Sequence, residues 1–280
     1  MIIKHRSPEW YKARIGKFTA SNFGVLMSKA ADGSDGWSKS AMDCINDLAR
    51  QLYENEYHER PDNDATRWGI NHEAKAIQEF SRASGLEVAD AGFVLHPDFP
   101  DVGATPDAIV IDKSQSGKLI LAQIKCPYCS QNHLNYTRKI KDSTTLRQSK
   151  LHYYLQMQGE MWVTGASHSY FVSYDPRLSG ENRMHYVKIE RDEEAIEQLR
   201  KVILKAIILR NEILSKFQNK KKDKEIVETR MSFRLELSFR AKYYDLIEVI
   251  EGNHSRVIVM TLNEISIPEI RTQDLTYEEY

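Results

Sequence analysis

Apolar positions in the first quarter of the chain recur at helical spacing. Met42, Ile45, Leu48 and Leu52 fall on one face of a helix predicted over 39–53. Upstream, Ser7-Pro8-Glu9 sets a hydroxyl cap before a proline at the first helical position, which predicts a short helix ending near Arg14. Thr19-Ala20-Ser21 offers a second cap before a helix over 22–27. A longer amphipathic helix is predicted over 66–83, with Trp68, Ala76, Ile77 and Phe80 on its apolar side, Glu73 near its middle and Gly85 as its stop.

The period then changes. Segments 86–95, 108–112 and 118–125 are rich in Val, Ile and Leu and are separated by turn residues, 114–117 among them; they read as consecutive strands of one sheet. After a loop-rich stretch come a helix over 146–163, strands over 169–173 and 184–189, and a long helix over 192–217. Helices, sheet, helix, strands and helix in that order describe an α/β layered domain, residues 1–217. Residues 218–224 (Gln-Asn-Lys-Lys-Lys-Asp-Lys) are charged enough for a linker. Beyond it, 231–237 alternates strictly and 254–262 is β-branched after a Gly252-Asn253 turn, so 225–280 reads as a small strand-containing extension. About 55 residues is marginal for independent stability, which predicts packing on the main domain or on a partner.

Composition narrows the class. Apolar residues make up 41% and charged residues 28%, the balance of a soluble globular chain, and no apolar run is long enough to span a bilayer. Charge sits where a signal peptide needs its apolar stretch, and there are three cysteines, so a reducing cytoplasm is expected. Cys126 and Cys129 form a C-x-x-C, but Cys44 is remote and no second pair stands at zinc-site spacing. The net charge of −1 gives no global pull on nucleic acid. Local clusters would have to supply it: Arg138, Lys139 and Lys141, or the run 216–224, although such runs are ordinarily solvated surface.

The pattern with chemical content is Gly103-Ala104-Thr105-Pro106-Asp107, followed after fifteen residues by Gln123-Ile124-Lys125. Residues two apart on a strand share a side, so Gln123 and Lys125 project together while Ile124 faces the other layer. A turn at 114–117 would return this strand beside Asp107. Phosphodiester hydrolysis needs a hard cation with oxygen ligands. Asp107 is the first candidate, Glu73 the second, and the Ile124 carbonyl a third, with Lys125 orienting the attacking water and countering charge on the phosphate.

These segments resemble the phage lambda exonuclease and YqaJ-type viral recombinase family, within the PD-(D/E)xK nuclease superfamily. The likeness includes 10–16 (Trp-Tyr-Lys-Ala-Arg-Ile-Gly), Thr19-Ala20-Ser21, Trp68-Gly69 with Glu73, Gln123-Ile124-Lys125-Cys126-Pro127, Tyr153 to Gln158, Met161-Trp162-Val163, Tyr174-Asp175-Pro176-Arg177, His185-Tyr186-Val187 and Ile189 to Glu193, spanning roughly 7–217 in order. It implies a restriction-endonuclease-like core, a mixed sheet flanked by helices. It further implies a Mg²⁺-dependent enzyme, with Mn²⁺ able to substitute, that digests the 5′-ended strand of linear double-stranded DNA and leaves 3′ tails for a single-strand annealing protein in the bacterial host cytoplasm. A homotrimer around the DNA is implied as well. By motif position, Glu73 and Asp107 are metal ligands, with position 123 and Ile124 completing the set; Lys125 is the catalytic lysine. Arg14, Ser21, Thr105 and Gln156 line a 5′-phosphate pocket. A guanidinium fork with hydroxyls suits that anion, while Ser21 could equally serve as a helix cap. Gln156 lies off the apolar stripe of its helix and Gln158 within it.

Two positions depart from the pattern. Thr105 replaces a serine and keeps the hydroxyl. Gln123 replaces an acid, keeping the shape without the charge that holds a cation. Either it is a substitution that disables cleavage, or it is native and the protein is a weakened enzyme or a DNA-end-binding scaffold. An endonuclease or repair nuclease on the same core is the other alternative.

Overall fold

The computed structural model describes the backbone of residues 3–30, 36–58, 63–115, 117–241, 245–251 and 254–260, and side chains up to Lys221, Lys4 excepted. The chain forms two compact units, Met1–Leu214 and Ser215–Tyr280.

The first unit opens with β1 (Ile3–Lys4), α1 (Pro8–Arg14), β2 (Phe18–Thr19), α2 (Ala20–Leu26), α3 (Lys39–Glu54) and α4 (Asp64–Ser84). The helix signals hold. The Ser7 hydroxyl accepts from the Trp10 amide, Ser38 caps α3, and Gly85 ends α4 with φ of 71°. Then follow β3 (Glu87–Asp90), β4 (Gly92–Leu95), β5 (Val102–Ala104), β6 (Ala108–Ile111), β7 (Ile120–Lys125), α5 (Ser130–Lys139), α6 (Ser143–Ser149), α7 (Leu151–Thr164), β8 (His168–Tyr174) and β9 (Met184–Glu190). The closing helix, α8, spans Glu193–Ala241.

The main sheet has the order β3-β6-β7-β8-β9, with β7 and β8 parallel and the other pairs antiparallel. A second sheet, β1-β4-β5-β2, was not foreseen as separate. The segment 86–95 is two strands: β3 pairs with β6, whereas β4 pairs with β1 and β5. The small pair Ala91-Gly92 lets the chain pass from one sheet to the other. The 146–163 helix likewise breaks at Lys150, whose backbone (φ −146°, ψ 65°) is not helical. Helix α5 fills the stretch read as loop. Its sequence is polar and it buries only His133 and Tyr136, too few to draw an apolar stripe.

Helices cover both faces of the main sheet. Ile120, Ala122 and Ile124 of β7 pack with Ala76 and Phe80 of α4, while Leu121 packs with Met161 of α7 on the other face. Gln123 shares the α7 side. The larger core joins Phe18, Phe23, Ile45, Met157, Phe171, Leu199 and Ile203. At its centre α2 and α7 meet closely. A Cβ on Gly159 would lie 2.3 Å from the Phe23 ring, so only glycine fits that crossing.

In the second unit, β10 (Asp245–Glu251) and β11 (His254–Met260) form an antiparallel pair. The predicted strand over 231–237 is instead helix, as is 218–224, because α8 runs through both. A run rich in Lys is a good helix former once helix precedes it. The Gly252-Asn253 turn, the end of the 254–262 segment and 263–280 lie outside the described residues.

Candidate active site

Asp107 stands where β5 passes into β6. The antiparallel pairing of Ala108 with Ala122 sets it across from the C-terminal half of β7. One carboxylate oxygen, Oδ2, accepts the Ile124 backbone amide at 2.6 Å and also the Gln123 side-chain NH₂. Lys125 ends β7, with its ammonium 4.8 Å from the centre of the Tyr153 ring. Glu73 approaches from α4. Burial, and then the charge of Asp107, push the Glu73 carboxyl up to about 7, against the pull of Arg6 and Lys125. Burial raises Asp107 as well, opposed by Lys125, the Ile124 amide and Arg6. Two desolvated carboxyls are therefore both raised, and the charge of Asp107 makes Glu73 harder still to ionise.

That repulsion on Glu73 is what a divalent cation would relieve, and the oxygen donors of Glu73 and Asp107 suit a hard ion. Among the described residues no three Asp, Glu, His or Cys side chains already converge as a ligand cluster. Position 123 contributes an amide in place of an acid. Gln123 is 2% exposed, and its NH₂, not its oxygen, faces Asp107. Its carbonyl accepts from Gln156 Nε2 at 3.0 Å, and the same nitrogen donates to Glu160 Oε1 at 2.9 Å. For Ile124, the contact present is the amide to Asp107; the carbonyl's part stays an expectation.

A second cluster lies at Thr105, two residues before Asp107. The Thr105 hydroxyl accepts from Arg14 Nη1 and from Trp10 Nε1, both at 3.1 Å. Arg14 Nη2 reaches the Thr19 hydroxyl at 3.4 Å, which in turn meets Ser21 Oγ at 3.1 Å. The guanidinium lies over Trp10, 4.2 Å from the ring centre, so its plane is held as well as its charge. Ser21 is exposed and lies inside α2, whose cap position is Thr19; the cap reading of Ser21 is thus wrong. Arg14, Thr105 and Ser21 come together, while Gln156 sits with Gln123 and Glu160.

Sequence reasoning missed Glu160, Thr19 and Arg6. Glu160 lies on a helix buried on nearly every side, from Tyr154 to Val163, where one acid breaks no pattern. Leu151, the first residue of that helix, is 52% exposed despite its apolar side chain. Gln158 is structural as expected: its amide bonds the Glu190 carbonyl and the Asp192 amide, both at 2.8 Å. Burial, reinforced by Glu73 and Asp107, pushes the Cys126 thiol up to about 12, which leaves it un-ionised and inert. Arg177 pins the loop after β7, bonding the Tyr128 and Pro127 carbonyls and lying over Trp68 at 4.4 Å.

The YqaJ-like viral recombinase domain family matches residues 9–167, more than half of the chain and the stretch that includes Arg14, Ser21, Glu73, Thr105, Asp107, Gln123, Lys125, Gln156 and Glu160. The chain belongs to that family. Among solved structures, the alkaline exonuclease of Laribacter hongkongensis superposes with a TM-score of 0.64 at 27% identity, covering 77% of this chain and 98% of that one. The same enzyme is also known in complex with dAMP. A phage-related exonuclease from Haemophilus somnus 129PT has the same fold, with a TM-score of 0.58 at 16% identity over 72% of this chain and 96% of its own. A protein named ExoD from Escherichia coli (strain K12) is 50% identical over 42 residues, 15% of this chain, so the match spans about half (47%) of that curated relative. This YqaJ-family chain therefore has the mixed α/β fold of PD-(D/E)xK-type exonucleases. Among the described residues no helix is long and apolar enough to cross a membrane.

Proposed function

We propose that the chain is a divalent-cation-dependent deoxyribonuclease that digests the 5′-ended strand of linear double-stranded DNA. The observation that carries this reading is the adjacency of two unlike clusters on one connection: the Glu73–Asp107–Lys125 group and the Arg14–Thr105–Ser21 group, two residues apart at Thr105 and Asp107. The first has the donors for Mg²⁺ or Mn²⁺, and the second the fork and hydroxyls for a terminal phosphate.

When bound, the cation would polarise a phosphoryl oxygen and acidify water. Glu73 and Asp107 would hold it, with Gln123 and Ile124 at the margin of the ligand set. Lys125 sets its positive charge beside the scissile phosphate. Arg14, Thr105 and Ser21 grip the 5′-phosphate, and Gln156 contacts the end from α7. The product, a 3′ single strand, is then the substrate of a single-strand annealing protein, and a homotrimeric ring around the duplex keeps the enzyme on its track.

The neutral amide at 123 favours one second reading, a DNA-end-binding protein that cleaves little. Digestion with Mg²⁺ of linear duplex carrying 5′-phosphates, of the same duplex with 5′-hydroxyls, and of closed circles separates the alternatives. Digestion confined to linear DNA, at least tenfold faster with 5′-phosphate and losing that preference in Arg14→Ala, is expected. Cutting of circles makes it an endonuclease; end binding without cutting makes it a scaffold.

A further inference from the structure

Glu160 is an acid for which the reading above has no use. It is fully buried on α7, in a stretch from Met157 to Val163 that is buried throughout. One oxygen, Oε1, accepts from Gln156; the other, Oε2, is buried with no hydrogen-bond partner. A glutamate is almost never fully buried unless paired, and a half-satisfied one destabilises the fold. An apolar residue or a glutamine would sit there more comfortably.

Its connections run in one direction. Gln156 Nε2 joins Glu160 to the Gln123 carbonyl, and the Gln123 NH₂ joins that pair to Asp107. This relay fixes which way the Gln123 amide points, since its carbonyl is held by a donor and its NH₂ by an acceptor. The charge of Asp107 also reaches Glu160: after burial it is the next cause that drives the Glu160 carboxyl up to about 8. The strand position that lacks an acid is thus wired, through one amide, to a helix position that has an unexpected one.

We propose that Glu160 is a positioning residue of the cation site, holding through Gln156 the orientation of the Gln123 amide that sets its NH₂ against Asp107. The inference rests on the cation-dependent reading given above. It makes Gln123 and Glu160 a matched pair joined by one hydrogen-bond relay, and so makes the amide a working part of the site.

Calorimetric titration of the full chain with Mn²⁺, without DNA, tests it. Glu160→Leu, which removes the acceptor, should weaken binding about tenfold in the parent and by less than about threefold in the Gln123→Glu background, because a carboxyl at 123 has no amide to orient. Gln156→Leu, which cuts the relay while leaving Glu160 in place, should weaken the parent by a similar factor and decides the matter if Glu160→Leu does not fold. A purely structural Glu160 predicts unchanged Mn²⁺ affinity for Glu160→Leu or Gln156→Leu, or equal losses in both backgrounds, and either result overturns the proposal. Asp107→Asn separates the two levels: if it abolishes binding while Glu160→Leu does not weaken it, only the Glu160 inference fails. Binding that survives Asp107→Asn removes the cation site itself.

Discussion

At the residue scale, the strand period delivered the site. Asp107, Gln123 and Lys125 could be placed together because side chains alternate and a hairpin returns β7 beside β6. What the period could not deliver was the wiring, since a hydrogen bond such as that from Gln156 to Glu160 joins α7 to itself behind a strand. The raised carboxyls carry a pH prediction. A carboxyl raised above its unfolded value holds its proton more tightly when folded, so its stabilising share is present below about 4.5 and is lost as pH climbs through about 7 for Glu73 and about 8 for Glu160. Six histidines lowered by burial act oppositely at acid pH. The increment in melting temperature given by Mg²⁺ cancels their effect. That increment should grow as pH rises from about 6 to about 8, because the proton competing for Glu73 leaves. A flat increment would detach Glu73 from the cation.

At the element scale, the amphipathic helices and the strands flanking the turn at 114–117 were legible. Elements whose burial is not one-sided were not. Helix α7 is apolar nearly all round and α5 polar nearly all round, and neither presents a stripe to read. Short strands β1, β2 and β5 hold two or three residues each, below the length at which alternation is visible. The α2–α7 crossing depends on Gly159, and a methyl there drives into Phe23. Gly159→Ala should lower unfolding free energy by about 1–3 kcal/mol, the usual range for overpacking. Chemical denaturation measures it, and a loss under about 0.5 kcal/mol would mean that the helices part freely. Since α2 carries Ser21 and α7 carries Gln156, the same variant should also reduce digestion of phosphorylated ends.

At the scale of the whole molecule, the domain predicted over 1–217 ends three residues after the first unit does, at Leu214; the secondary structure beyond that point was the least legible feature. Alternation over 231–237 and charge over 218–224 argued for a linker and a strand, yet α8 is helical through both. The local pattern of a long charged helix mimics strand alternation over seven residues. For the extension we propose two roles, packing within the trimer or docking of the annealing protein. A chain ending after Ala241 removes β10 and β11 while leaving α8 whole. In sedimentation and partner-binding assays, retained trimeric mass with loss of the annealing partner assigns it to docking, whereas loss of the trimer alone assigns it to assembly.

The central claim is that Asp107 and its neighbours form a cation-dependent nuclease site whose charge is low at position 123. The most direct measurement is Mg²⁺-dependent digestion of 5′-phosphorylated linear duplex by the chain, by Gln123→Glu and by Asp107→Asn. The account predicts Gln123→Glu at least about tenfold faster than the chain, as an added ligand charge should make it, and Asp107→Asn inert. Asp107→Asn digesting as fast as the chain, or Gln123→Glu remaining as inert as Asp107→Asn, would contradict it.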